Sequence, residues 1–222
     1  MAVAHDAEAD LSGDQTASAT WTISGKTTAG SNRVGIVRFN YAATATLTGV
    51  TWNGSAMTEV PLSSVTSGSR TNKSFYIVDP PTASSDIVIS FSAGTPAGEY
   101  LVTSYNEADT ASPIGDVQTA TGTSTTPSVD VTSASGDMVL DWMVIANTIT
   151  SVGDSQTSEF IDTTGGSYRV GGSREAGAAT VTMSWTVGSG AWGTSGFSIN
   201  QAAAGGSSVP VKQHAYRTRR VS

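Results

Sequence analysis

Apolar residues recur at every second position along most of this chain, the spacing that lays one face of an extended strand on a core. Residues 73–92 show it most plainly. Phe75 and Ile77 alternate with Ser74, Tyr76 and Val78, and Ile87, Ile89 and Phe91 alternate with Asp86, Val88 and Ser90. Between the two runs, Asp79-Pro80-Pro81-Thr82-Ala83-Ser84-Ser85 cannot continue either strand, because proline fixes φ and offers no donor to a ladder. The segment reads as a β-hairpin. A first strand is expected over 19–24, and 33–39, apolar on both faces, reads as a central strand covered on each side. In 45–52 the apolar phase changes near Gly49, which predicts a β-bulge. Asn53-Gly54 then gives the strongest two-residue hairpin signal, leading into a strand over 56–60, with 61–72 a Ser/Thr/Gly loop.

The second half follows the same grammar. Strands are expected over 99–105, 115–121, 128–132 and 137–146, the last with Met138, Leu140, Trp142 and Val144 on one face. A loop over 147–156 precedes strands at 157–162 and 167–174, on either side of Thr164-Gly165-Gly166. Residues 179–187 and 191–200 close the series. No helix of normal length has both a period and caps. The total of about 12 to 14 short strands predicts an all-β antiparallel sandwich or barrel. No internal repeat of fixed period is visible. The expected organisation is an acidic N-terminal arm (1–18), one β-sandwich domain (19–201), and a flexible linker with a basic C-terminal arm (202–222).

Composition narrows the function more than it identifies it. Of 222 residues only 13% are charged, and the net charge is −7. With no cysteine, disulfides, thiolate catalysis and sulfur-ligated zinc are excluded. No apolar run reaches the roughly 18 residues of a membrane-spanning helix, and MAVAHDAEAD lacks the basic and apolar regions of a secretory leader, so a chain that works without a membrane or that export route is expected. The charge is split between the ends. Asp6, Glu8, Asp10 and Asp14 lie at the start, whereas Lys212, Arg217, Arg219 and Arg220 lie in the last 18 residues. The tail reads as a solvated terminus, an arm docking on an acidic neighbour, or a nucleic-acid contact. The acidic body argues against the last. Docking of the tail onto the Asp6, Glu8 and Asp10 segment of another subunit is the partner reading that uses both ends.

Candidate chemistry is sparse. His5 and His214, the only histidines, both fall in the arms, which disfavours a Ser-His-Asp site and histidine-based metal centres. Asp109, Asp154 and Asp162 are the loop carboxylates that could serve calcium, but no D-x-D-x-D-G loop is present. Asp137 and Asp141 project from one face of one strand, where paired carboxylates could act on a glycoside; a solvated strand face is the simpler reading. Trp21, Trp52, Trp142 and Trp185 take core phases, leaving Trp192, between Gly190 and Gly193, as the tryptophan to contact a ligand. Asn53-Gly54-Ser55 and Asn72-Lys73-Ser74 match the glycosylation pattern. No catalytic residue, cofactor or metal is expected.

Taken together, TAGSNRVGIVRFNY, LTGVTWNGSAMTEV, SFYIVDPPTASSDIVISFS and PSVDVTSASGDMVLDWMV resemble jelly-roll-like sandwich proteins found among the accessory virion components of tailed phages and on bacterial surfaces. The resemblance covers about residues 15–200 and its motifs are structural. It implies a head decoration (cement) or fibre subunit, a homo-oligomer and often a trimer, located in the virion with a major capsid protein as partner. The alternative is a carbohydrate-binding or adhesin module, with a glycan as partner.

Overall fold

The alternating pattern yields strands: the computed structural model describes residues 1–6, 8–163 and 167–203, and these residues form 19 strands and no helix. In the first half these are β1 (Ala4–His5), β2 (Leu11–Gln15), β3 (Thr20–Lys26), β4 (Val34–Ala42), β5 (Thr46–Trp52), β6 (Ser55–Ala56), β7 (Thr58–Glu59), β8 (Val65–Ser67), β9 (Arg70–Val78), β10 (Ser85–Ala93) and β11 (Gly98–Asn106). The second half supplies β12 (Ile114–Gly122), β13 (Ser128–Val131), β14 (Met138–Ile145), β15 (Ile149–Val152), β16 (Thr157–Ile161), β17 (Arg169–Ala176), β18 (Val181–Val187) and β19 (Trp192–Ile199). The count exceeds the expected one because 61–72 and 147–156, read as loops, contain β8 and β15, because 1–18, read as an arm, contains β1 and β2, and because the strand expected over 56–60 divides into β6 and β7.

Four antiparallel sheets result. A seven-stranded sheet runs β1-β11-β4-β9-β7, with β2 also on β11 and β8 also on β9; a four-stranded sheet runs β3-β10-β5-β6. These two enclose a core that includes Trp21, Phe39, Trp52, Ile87 and Ile89. A five-stranded sheet, β12-β19-β14-β17-β16, and a three-stranded sheet, β13-β18-β15, enclose a second core of Val129, Val131, Val139 and Met183 at one end and Met143, Ile145, Trp185 and Trp192 at the other. The two larger sheets then pack on each other. Val34, Ile36 and Tyr105 meet Leu140, Phe197 and Ile199, and Leu101 meets Trp142, Val144 and Val170. The single sandwich expected over 19–201 is therefore two sandwiches stacked back to back in four layers. Strands β4 and β14, buried on both faces, lie in the two inner layers, which explains their unbroken apolar character.

The two sandwiches share one topology. The sheets β11-β4-β9 and β3-β10-β5 correspond strand for strand to β19-β14-β17 and β13-β18-β15, with β2 and β12 flanking β11 and β19, and β7 and β16 flanking β9 and β17. Chain order is the same in both. The corresponding strands β5 and β15 retain Thr46-Leu47-Thr48-Gly49-Val50 and Thr148-Ile149-Thr150-Ser151-Val152. Loops of unequal length between strands hide this duplication from a search for a fixed period.

Local signals fare unequally. Asn53 and Gly54, at φ 49° and 77°, form the expected tight turn, with Trp52 opposite Ser55. The bulge is present too: Ser90 pairs Gly49 and Phe91 pairs Leu47, leaving Thr48 unpaired. The expected hairpin over 73–92 is absent. β9 belongs to the seven-stranded sheet and β10 to the four-stranded one, so the Pro-Pro segment is an arch that carries the chain across the first core. Phe75 faces Ile87, Ile89 and Phe91 through that core, an arrangement with the same period of two as a hairpin. Asp79, at φ 48°, turns the chain, and its N–H donates to the Arg33 carbonyl at 2.8 Å. The expected strand 56–60 likewise splits, β6 in one sheet and β7 in the other.

Residues 1–18 are not an arm. β1 and β2 pair antiparallel with β11, and the Asp6 carboxylate, 1% exposed, accepts from Ala29 N–H, Glu8 N–H and the Ser104 hydroxyl. Strand pairing to β11 and these three donors to Asp6 tie the segment down. Lys212, Arg217, Arg219 and Arg220 lie outside the described residues.

Candidate functional site

Alternation along β4 sends Val37, Phe39 and Tyr41 into the first core and Val34, Ile36, Arg38 and Asn40 into the layer between the sandwiches. A guanidinium there has left water entirely, and an unpaired buried charge is not tolerated. Arg38 Nη1 donates to the Asp141 carbonyl at 3.0 Å and reaches that of Ser173 at 3.4 Å. Nη2 donates to Thr103 Oγ1 at 3.3 Å and to Glu159 Oε2 at 2.5 Å. Burial opposes the charge on Arg38, but Glu159, Tyr105 and Asp141 together outweigh it and hold the guanidinium pKa above its ordinary value. Burial likewise opposes ionisation of Glu159, and Arg38 with Tyr105 and Arg174 keeps that carboxyl below its ordinary range. The pair joins the first sandwich to β16 of the second.

Glu159 is the hub of a longer chain of contacts. Its Oε1 accepts from Tyr105 Oη at 2.6 Å and Arg174 Nη1 at 3.0 Å, and lies 3.9 Å from His5 Nε2. His5 Nε2 also sits 3.0 and 3.1 Å from the two Asp10 oxygens, and Lys26 Nζ, 3.8 Å from Asp10, donates to the Ala9 carbonyl at 2.9 Å. Burial drives the Tyr105 phenol pKa well up, and the neighbouring Glu159 charge adds to it, so the phenol stays a donor.

His5, Asp10 and Glu159 bring one ligand atom each to within 4.8 Å of one another, the only such cluster among the described residues. As a metal centre the donor set fits poorly. Both Glu159 oxygens and both Asp10 oxygens already face N–H or O–H groups, and Arg38, Arg174 and Lys26 bring three cations against two carboxylates. The geometry is that of an ion-pair network that pins the N-terminal segment to the second sandwich.

Of the other carboxylates singled out by sequence, Asp109, Asp137, Asp141 and Asp162 have structural places, and Asp154 is exposed. Asp137 and Asp141 do share a face, but it is buried against the second core, not solvated. Asp141 is fully buried: Oδ1 accepts from Ser173 N–H at 2.9 Å and Ser173 Oγ at 2.7 Å, and Oδ2 from Trp185 Nε1 at 2.5 Å. Burial pushes its pKa up to about 7 in spite of these donors and of Arg38 nearby. Asp137 closes a loop, accepting from Ala134 N–H at 2.7 Å and Gln201 N–H at 2.9 Å. Asp109 Oδ1 caps its own loop through Ala111 and Ser112 N–H, and Asp162 is 4% exposed.

Asp6, Glu8 and Asp10, expected to receive a basic tail, are engaged within the chain: Asp6 as above, Glu8 with Thr27 Oγ1 at 2.8 Å, Asp10 with His5 and Lys26. Trp192 is not an exposed platform. At 7% exposure it packs with Met143, Ile145, Trp185 and Val187, because β19 begins at Trp192 and aims it into the second core. Trp21, Trp52, Trp142 and Trp185 are core residues as expected, and Asn72, fully buried, donates to the Trp142 carbonyl at 3.3 Å and cannot meet a glycosyl transferase in the folded chain. Arg38, Glu159 and Tyr105 escaped the sequence reading. A signal did exist: Arg38 and Asp141 each interrupt an otherwise apolar central strand, where a lone charge needs a buried partner.

Neither a protein-family model, nor a curated protein, nor a solved structure matches the chain.

Proposed function

We propose that the chain is a non-enzymatic structural subunit of a virion, of the decoration (cement) type, which docks on an assembled shell and stabilises it. The observation that carries this reading is the buried Arg38–Glu159 pair. It lies between the two stacked sandwiches and pairs a cation of one with a carboxylate of the other, which holds the layers in register. A body fixed in this way loses little further conformational freedom on docking, which favours a subunit whose task is to bind and stay bound. If it binds the assembled shell and not its separated parts, its binding free energy stabilises assembly by mass action. Self-association, as a trimer at local three-fold positions, belongs to the same reading and would cover free sheet edges.

Density-gradient fractionation of the source material, with quantitative mass spectrometry of this chain, tests the proposal. Co-sedimentation with particles at a fixed ratio to a major shell protein is expected. Recovery only in the soluble or cell-surface fractions would overturn it.

A further inference from the structure

Asn53 and Gly54 form the tip of the β5–β6 hairpin, and both are exposed. Seven asparagines occur in the chain, and Asn53 alone is followed by glycine. Asn32, Asn40, Asn72, Asn106, Asn147 and Asn200 all precede residues that carry a side chain, and Asn40 and Asn72 are fully buried as well. Only Asn53 therefore combines an accessible carboxamide with a following main-chain nitrogen that no Cβ shields.

The fold leaves both groups unengaged. The ladder pairs Thr51 with Ala56 and Trp52 with Ser55, so the two residues of the turn stand outside it. Asn53 N–H donates to the Asp86 carbonyl at 2.8 Å, which anchors the turn to β10. The Asn53 carboxamide and Gly54 N–H have no hydrogen-bond partner among the described residues. A Cβ on Gly54 would meet nothing within 4 Å, so that side of the turn is open to water.

We propose that Asn53 is a site of spontaneous deamidation in the folded chain, with Gly54 as the attacking residue. The reaction is intramolecular and draws its rate from proximity. The Gly54 nitrogen loses its proton to solvent base and attacks Asn53 Cγ; the N–Cγ bond forms, the Cγ–Nδ2 bond breaks, and ammonia leaves with a proton from water. Water then opens the resulting cyclic imide. Cleavage of the new N–Cγ bond gives aspartate, and cleavage of the original peptide bond gives isoaspartate, whose main chain runs through Cγ. Asn53 sits at φ 49°, which aspartate tolerates as asparagine does. Isoaspartate lengthens the main chain, and a two-residue turn cannot absorb that and keep Trp52 opposite Ser55. Either product adds a negative charge to the small surface cleft that Asn53 and Gly54 share with Asp86. Because β6 leads directly to β7 in the other sheet, the disturbance falls where the chain crosses the first sandwich. The inference depends on this hairpin alone and is independent of the shell-docking reading.

Ageing of the full-length chain at mildly alkaline pH, followed by peptide mapping with electron-transfer fragmentation, tests the site. Asn53 should convert before every other asparagine, with isoaspartate among the products, faster as pH rises, and at a rate of the same order in the folded chain as in urea. Gly54→Ala, whose added methyl meets no atom in the turn, should slow the conversion severalfold. In the aged ¹⁵N-labelled chain the Trp52, Gly54 and Ser55 amide signals should move while those of β14 stay in place. Asn53 intact when another asparagine has converted, conversion in urea but not in the folded chain, aspartate without isoaspartate, or conversion of Gly54→Ala at the wild-type rate would each overturn the assignment.

Discussion

Asp141 is the residue whose environment has the clearest consequence in solution. Its carboxyl goes from an ordinary value of 3.8 to about 7 on folding, so the native state holds the proton more tightly than the unfolded chain does. A raised folded pKa contributes stability that is complete below the unfolded value and is lost as pH rises through the folded one. Between about pH 4 and pH 7 this single group should therefore lower stability as pH increases, by at most about 4 kcal/mol over the window. Asp6, Asp116 and Glu159, all held below their ordinary values, act in the opposite sense and lose their contribution on acidification. The comparison must then be with Asp141→Asn, which cannot titrate. Urea midpoints measured from pH 4 to pH 7 should show wild type losing stability relative to Asp141→Asn as pH rises. A constant difference across the range would mean that Asp141 is ionised throughout. Arg38 and Glu159 have the contrary logic: each is charged because the other is, and removing one leaves the other buried and unpaired.

Elements were legible in proportion to how local their causes are. The Asn53-Gly54 turn depends on two residues that accept left-handed backbone, and the bulge at Thr48 on a phase change within one strand; both could be read from the chain. Whether two alternating runs lie side by side or face each other depends on the connection and on what else competes for each edge. For β9 and β10 that competition is decided by β4 and by β3 and β5, far away in sequence, so the Pro-Pro arch imitates a hairpin. β2 was hidden because its inward positions are a leucine, a glycine and a glutamine, and its attachment rests on backbone pairing to β11. The ion-pair network was legible only as two misplaced charges, Arg38 and Asp141, since nothing local marks Glu159 as a partner 121 residues away. At this scale one glycine provides a sharp test of the packing. A Cβ on Gly98 of β11 would collide with the Asn40 carbonyl oxygen and stand 2.7 Å from the Trp21 ring, neither of which can swing away. Gly98→Ala should cost about 3 kcal/mol and lower Tm by roughly 5–10 °C, read by calorimetry. An unchanged Tm would show that β3 and β11 are not packed as described.

At the scale of the molecule, two sandwiches of one topology share their larger sheets as an inner bilayer. Each outer sheet, with the sheet beneath it, encloses its own core, so either half resembles a domain; what makes them one body is the layer between. That layer is apolar at Val34, Ile36, Leu140 and Phe197 and along Leu101, Trp142 and Val170, and polar where Arg38 meets Glu159. Buried polar groups in such a layer fix register more than they add stability, because desolvation offsets much of the attraction. Removing one partner alone is different and costs about 3–5 kcal/mol. The central claim is that the two sandwiches form one rigid unit clamped by this pair. Urea unfolding followed residue by residue, with native-state hydrogen exchange on β4 and β10 of the first sandwich and β14 and β18 of the second, tests it most directly. In the wild type all four strands should share one opening free energy and one dependence on urea, and Glu159→Gln should lower both halves together or split them into two transitions. Strands β4 and β14 opening with different energies in the wild type, and unmoved by Glu159→Gln, would contradict the account.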